Sequence, residues 1–282
     1  MKFYKIKSYA KINISLGVLG KLKSKLHKIE SLISFLNLYD EIFIKKIKNK
    51  NHKVIFTGKF SKRISKNNTI SNLLKILDNN KKLRNQKYLI KVNKKIPQKS
   101  GMGGGSMNAA HILKYLSNKQ KLNLSSKEIL RIASKIGSDV VVGMQNKTSI
   151  LYGSGEIKLL KKNINLFTLL VRPNSGCSTK AIYRDVRYFS RPVFKKNQRV
   201  NLNYKFLIKL KNDLEEPAFK KYPVLKKLKI FMEKMDDTLF VRMTGSGSTI
   251  IGYFISKKAA VNARKILKKK YQKYWCILSK TI

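Results

Sequence analysis

Segments of strand period alternate with segments of helix period along almost the whole chain, which predicts an α/β or α+β protein in two lobes. Three observations carry this. Ile12, Ile14, Leu16 and Val18 alternate with Asn13, Ser15 and Gly17, giving a half-buried strand near the start. Lys95 to Ala110, KIPQKSGMGGGSMNAA, sets four glycines in five positions directly ahead of a helix-period run. Beyond GSGE at Gly153 to Glu156 the pattern restarts, so the chain divides into 1–155 and 156–282. At 282 residues with 43% hydrophobic content, there is enough apolar material for a core in each lobe.

In chain order, Glu41 to Ile47 reads as a strand, and Ile70, Leu73, Leu74 and Leu77 mark a helix face. Tyr88 to Val92 is a strand feeding the glycine loop. After the loop, Ser106 to Leu116 places Ala109, Ala110, Leu113 and Leu116 at helical spacing. Its first turn aims unpaired N–H groups back into the loop. Gly101, Gly103, Gly104 and Gly105 allow close backbone approach, so loop and helix start together suit an anion such as a phosphate. The same run also reads as a flexible connection. Two familiar phosphate loops are excluded by spacing. Ser106-Met107 follows the last glycine where a Walker A loop needs Lys and then Ser or Thr. Lys121 and Asn123 stand where a dinucleotide-binding turn wants an acid.

Ser125-Ser126-Lys127-Glu128 is a capping box, and the helix it opens can run to Gly137, leaving Ser138 and Asp139 just past a helix end. Thr148 to Tyr152 and Leu166 to Val171 are strands. Helices follow near Phe206 to Asn212 and Val224 to Met235, then a strand at Leu239 to Met243, a helix near Lys257 to Lys270 and a last strand near Trp275. The second glycine signal, TGSGS at Thr244 to Ser248, reads locally as a hairpin turn. It gains functional meaning only by packing beside the first loop.

The formal net charge of +49 invites a nucleic-acid or membrane-surface reading. The excess is mostly lysine spread from end to end, alongside abundant Asn and Ile, and all three have adenine- and thymine-rich codons. Codon composition therefore accounts for it, and no arginine-rich cluster or aromatic–basic interleaving stands out as a specific nucleic-acid module. Two cysteines are too few for a disulfide framework, and three scattered histidines suggest no zinc site. Lys5, Lys7, Lys11 and Asn13 break any signal-peptide core, and no run of about twenty apolar residues occurs. The expectation is a cytoplasmic protein with no membrane contact.

Several segments stand in a telling order: AKIN (Ala10 to Asn13), LHKIESL with His27, the glycine loop, GSDV (Gly137 to Val140), GSGE, STKAIYRD (Ser178 to Asp185), NDLE (Asn212 to Glu215) and TGSGST. In order and spacing they resemble the GHMP kinases over almost the whole chain. The resemblance implies an α+β protein, with a first lobe like the second domain of ribosomal protein S5, a ferredoxin-like second lobe, and an active site in the cleft between them. It implies ATP and Mg²⁺, a small-molecule alcohol carrying a cytidine diphosphate, and a monomer or weak homodimer.

The same resemblance assigns roles. Asp139 is the base, and Lys11 stabilises charge and orients it. Gly101, Gly103, Gly104, Gly105 and Ser106 cradle the phosphates, with the Ser106 hydroxyl near the β-phosphate or Mg²⁺. Asn68 and Lys94 hold the adenine side. Asn13, His27, Thr179 and Tyr183 line the cytidine-diphosphate substrate, and Gly245, Ser246 and Gly247 form the second glycine loop. Asp185 and NDLE are structural. On residues alone, Asp139 could equally be a helix cap and Lys11 one lysine among many. The chain departs from the family pattern at Leu26, where a second aromatic ring is usual; losing it costs on the order of 1 kcal/mol of stacking. Lys99, Met107 and Val141 replace a usual Gly, Ser and Pro. Open alternatives are another small-alcohol acceptor, such as homoserine or mevalonate, and a degenerate kinase fold that binds polyanions.

Overall fold

A computed structural model describes residues 2–23, 26–120, 122 and 124–282. Lys121 and Asn123, used above to exclude a dinucleotide turn, lie outside the described residues. Eleven strands and nine helices are assigned among the described residues. In the first half they are β1 (Tyr4–Asn13), β2 (Gly17–Lys21), β3 (His27–Ile47), β4 (Lys53–Thr57), α1 (Thr69–Asn79), β5 (Lys87–Asn93), α2 (Gly104–Lys119), α3 (Ser126–Ile136) and α4 (Ser138–Gln145). The second half holds β6 (Ser149–Leu151), β7 (Ile157–Leu159), β8 (Phe167–Arg172), α5 (Thr179–Arg184), α6 (Tyr204–Lys209), α7 (Glu215–Lys221), α8 (Pro223–Glu233), β9 (Phe240–Met243), β10 (Ile250–Phe254), α9 (Lys257–Lys270) and β11 (Trp275–Lys280).

By contacts the chain groups into two discontinuous units. The first comprises Met1–Lys11, Leu38–Gln98 and Gly103–Asn146; the second comprises Ile12–Asn37, Lys99–Met102 and Lys147–Ile282. In the first unit, β5 pairs antiparallel with the later part of β3 (Ile42 opposite Val92) and parallel with β4 (Val54 opposite Ile90). Four helices bury their apolar stripes here: Ile70, Leu73, Leu74 and Leu77 of α1 join Ala109, Ala110, Leu113 and Leu116 of α2, with Ala133 and Val140, against Ile42, Ile44, Ile90 and Val92. Fully burying one such aliphatic side chain is worth about 1.5–3 kcal/mol. Asn68 caps α1, taking N–H bonds from Ile70 and Ser71. Ser125 and Glu128 form the capping box expected for α3.

In the second unit, β11, β8, β10 and β9 form an antiparallel sheet in that order. Helices α7, α8 and α9 contribute Ala218, Leu225, Leu228, Ala260 and Leu267 to its core. Leu16 and Val18 also enter this core.

Three sequence expectations change. The alternation at 12–18 reports burial but not one strand: β1 ends at Asn13, the Ile14 and Ser15 N–H groups both reach Leu32 O (2.8 and 3.4 Å), and Leu16 N–H turns to Lys211 O at 3.0 Å. Strand β3 begins at His27, because residues 30–36 are buried on both faces and show no period until Leu38. Past Gly137 a further helix, α4, begins at once, placing Asp139 in its first turn.

Burial holds all three histidines below their ordinary pKa, with Lys21 adding to the effect at His27, Lys87 at His52 and Lys114 at His111. A folded pKa below the unfolded one means the unfolded chain binds more protons just below pH 6.5, so stability rises with pH through that window. Glu41 and Glu128, held near 2 by hydrogen bonds from Lys5 and Lys82 respectively, lose their contribution only at lower pH. The melting temperature is therefore expected to begin falling as pH drops from 7 toward 5. A profile flat to pH 5 would contradict the histidine assignment.

Candidate active site

The first unit gathers a cation, a carboxylate and a helix start. Lys11, at the end of its segment of β1, has a side chain only 6% exposed and reaches Asp139 Oδ1 at 3.1 Å. A buried ammonium is costly without a partner, and Asp139, itself 39% exposed, supplies one while remaining open to solvent. The first turn of α4 is also where a helix dipole favours negative charge. Gly103 caps α2 in the left-handed conformation (φ +64°). A Cβ there would lie 3.0 Å from both Cε and Cγ of Lys11 and 3.4 Å from Asp139 Oδ2. Only glycine leaves that corner open.

Helix α2 starts at Gly104, two residues earlier than its apolar period indicates, and Met107 N–H to Gly103 O is its first turn's bond (2.8 Å). The N–H groups of Gly104, Gly105 and Ser106 precede that bond and have no acceptor within the helix. They point where the helix dipole is positive, beside the Lys11–Asp139 pair. Gly103→Ala is expected to keep the fold but displace Lys11, lowering kcat between about ten- and a hundredfold. Steady-state kinetics alongside circular dichroism would check it, and an unchanged kcat would remove the steric argument.

Beneath the first turn lies a group that sequence reading missed. Asp40 is fully buried and forms an ion pair with Lys94, whose side chain is 5% exposed. It also accepts from the Lys95 and Ile96 N–H groups (2.8 and 2.9 Å) and from Asn108 Nδ2 (3.0 Å). A Cβ on Gly104 would come within 3.3 Å of Lys94 Nζ. The Lys94 ammonium is thus committed to Asp40, and the Asn68 side chain to capping α1. Thr69, next to Asn68, donates to Gly105 O at 2.8 Å and ties α1 to the loop. The sequence does carry one signal for Asp40: it shares the alternation of Ile42 and Ile44, the buried face of β3.

The second unit holds the other candidates. Here the second glycine turn packs against the first part of the first loop. Thr244 Oγ1 donates to Gly101 O at 3.2 Å and accepts from Asn13 N–H at 3.0 Å. Gly101 has φ +76°, and a Cβ there would lie 2.0 Å from Thr244 O, so no other residue fits. Asn212 Nδ2 donates to Met243 O and Gly245 O (2.7 and 2.9 Å), pinning the turn, and Thr179 Oγ1 meets Ser246 Oγ at 2.8 Å. Asn13 Nδ2 donates to Ser31 Oγ at 2.8 Å. The hairpin between β9 and β10 is therefore part of a two-loop arrangement joining Asn13, Gly101, Thr179 and Gly245 to Gly247.

His27 stacks at a tilt on Tyr183, ring centres 5.0 Å apart. Its Nε2 is buried without a hydrogen-bond partner among the described residues, and burial favours the neutral ring. A neutral imidazole with an unsatisfied nitrogen suits the donor–acceptor edge of a base. Leu26 beside it is 66% exposed. Met107 is fully buried, Val141 lies inside an unbroken α4, and Lys99 adopts φ +50°, a conformation that favours glycine. Among the described residues no helix is long and apolar enough to cross a membrane, and no cluster of three His, Cys, Asp or Glu could hold a metal.

Known proteins resemble this chain along its whole length. The GHMP kinases N terminal domain matches residues 68–154 and the GHMP kinases C terminal domain residues 197–273. A 4-diphosphocytidyl-2-C-methyl-D-erythritol kinase of Pelagibacter ubique (strain HTCC1062) is 52% identical over 282 residues, covering all of both chains. One from Thermoanaerobacter pseudethanolicus is 32% identical over 289 residues, covering 100% of this chain and 97% of the relative. A crystal structure of 4-(cytidine 5'-diphospho)-2C-methyl-D-erythritol kinase superposes with a TM-score of 0.77 at 22% identity, covering 98% of this chain and 99% of that one. The chain belongs to the GHMP kinase family, among its 4-diphosphocytidyl-2-C-methyl-D-erythritol kinases.

Proposed function

We propose that this chain transfers the γ-phosphoryl group of ATP to the 2-hydroxyl of 4-diphosphocytidyl-2-C-methyl-D-erythritol, a step of the non-mevalonate route to isoprenoids in the cytoplasm. The observation that carries the reading is the Lys11–Asp139 pair at 3.1 Å beside left-handed Gly103. Asp139 accepts the hydroxyl proton as the alcohol oxygen forms its bond to phosphorus and the bond to ADP breaks. Lys11 holds the carboxylate in place and neutralises charge around the transferring group. The N–H groups of Gly104 to Ser106 meet the phosphate oxygens. His27 and Tyr183 bind the cytosine, and Asn13 and Thr179 line the rest of the acceptor. Asn68 and Lys94 support the nucleotide side through α1 and Asp40.

The donor set fits a magnesium ion carried in by the nucleotide, since Mg²⁺ is commonly held by substrate phosphates and water with few protein ligands. Ser106 Oγ, in the first turn of α2, is the protein group that would touch it. When bound, the ion offsets charge on the phosphates. The free thiols of Cys177 and Cys276 fit a reducing compartment.

The test is ADP release from ATP and Mg²⁺ with and without the diphosphocytidyl alcohol, run beside homoserine and mevalonate. Turnover dependent on the cytidine compound supports the reading. Turnover with either of the others, and none with it, would reassign the acceptor.

A further inference from the structure

The segment after α5 presents a surface that the kinase reading does not use. Residues 184–199 read RDVRYFSRPVFKKNQR and hold four of the chain's ten arginines, interleaved with Tyr188, Phe189 and Phe194. This corrects the sequence reading above, in which no arginine-rich cluster or aromatic–basic interleaving stood out, because a codon bias that scatters lysine evenly does not cluster arginine with aromatics. The structure separates these aromatics. Val186 and Phe194 are buried, whereas Tyr188 is 77% and Phe189 47% exposed, and Arg187 and Arg191 are exposed with them.

The display is fixed in place although residues 186–203 form no helix or strand. Ser190 N–H donates to Val18 O at 2.8 Å, and buried Glu30 accepts from Val193 N–H at 2.7 Å and from Phe194 N–H. Arg187 and Tyr188 line a groove of about 1120 Å³ together with Lys209, Lys211, Lys220 and Lys221. Four acids line it against eight Lys and Arg: Asp213 takes the Val18 N–H at 2.7 Å, Glu215 takes Lys229 and the Met243 N–H, each at 2.7 Å, Asp185 pairs with Arg184 at 3.3 Å, and Glu216 stands with them. What remains is a positive groove bearing an open aromatic ring.

We propose that this groove binds single-stranded RNA without sequence preference, lysines and arginines meeting the phosphates and Tyr188 stacking a base. Positive grooves that follow the backbone, combined with aromatic faces, are how such strands are held, and every base offers a π-face. The groove shares no residue with the phosphoryl-transfer set, so the proposal stands or falls apart from the kinase reading.

Fluorescence anisotropy of a labelled twelve-nucleotide oligouridylate with the full chain, across a salt series, tests it. Binding is expected to weaken linearly in log–log form with salt. Tyr188→Ala should weaken binding about tenfold at unchanged net charge. Arg187→Gln should flatten the salt slope by about one. Neutralising exposed Lys265 and Lys269 on α9 should change little, and kinase activity should be unaffected in all three variants. The proposal is overturned if Tyr188→Ala binds like the parent, if the α9 variant loses as much as Arg187→Gln, or if base-free polyphosphate of equal charge binds as tightly. Each of those outcomes would make the attraction one of total charge alone.

Discussion

Asp139→Asn is expected to lower kcat at least about a hundredfold while leaving the KM for ATP within a few-fold. Asparagine preserves the shape and can still accept a hydrogen bond from Lys11, but it cannot take the proton of the acceptor hydroxyl. The loss should therefore fall on the chemical step. Lys11 is buried, so the variant also leaves its ammonium facing a neutral partner, and a melting curve has to accompany the kinetics. Lys11→Met offers the complementary comparison: it removes the buried charge, keeps Asp139, and should also reduce kcat. Because the two residues act as a unit, the double variant should lose little more than the worse single one. A fully additive double loss would mean that they serve separate steps. An Asp139→Asn protein with near-parent kcat would leave the carboxylate as no more than a partner for Lys11 at the start of α4.

What the sequence makes legible follows from the range of the interactions. Helix α3 could be read because Ser125 and Glu128 are three residues apart, and α1 because its apolar stripe is contiguous. Asp139 stood out because acids are scarce, only 14 in the chain. Strand β3 was half hidden because residues 30–36 are buried on both faces and carry no period. The role of the TGSGS turn was open because its partner, Gly101, is 143 residues from Thr244. Only the close approach of the two backbones, at a position where no Cβ fits, shows why glycine is required there. Tyr188 and Phe194 look alike in sequence; one faces water and the other a core, and nothing local distinguishes them.

Asp40 illustrates the same limit and leads to the largest expected effect on stability. Its alternation with Ile42 and Ile44 marks a buried position, but its partner Lys94 is 54 residues away, and lysine is the commonest way for this chain to look ordinary. Asp40→Ala would leave the Lys94 ammonium buried without a counter-charge and strip acceptors from the Lys95 and Ile96 N–H groups and from Asn108. Breaking one side of a buried pair costs about 3–5 kcal/mol, a large share of the 5–15 kcal/mol that holds a typical protein folded. The melting temperature should fall by on the order of 10 °C. Asp40→Asn combined with Lys94→Met separates the causes. It removes both charges and retains an oxygen for the two N–H groups, so it should be more stable than Asp40→Ala; equal or lower stability would mean that the charge is not the main cost. The pair also lies under Gly104, whose missing Cβ would reach to 3.3 Å of Lys94 Nζ. The double variant should therefore show a raised KM for ATP even where its melting temperature recovers. That divergence would identify the ion pair as the support that fixes the first turn of α2 for phosphate binding, and a KM that tracked stability alone would reduce it to a packing element.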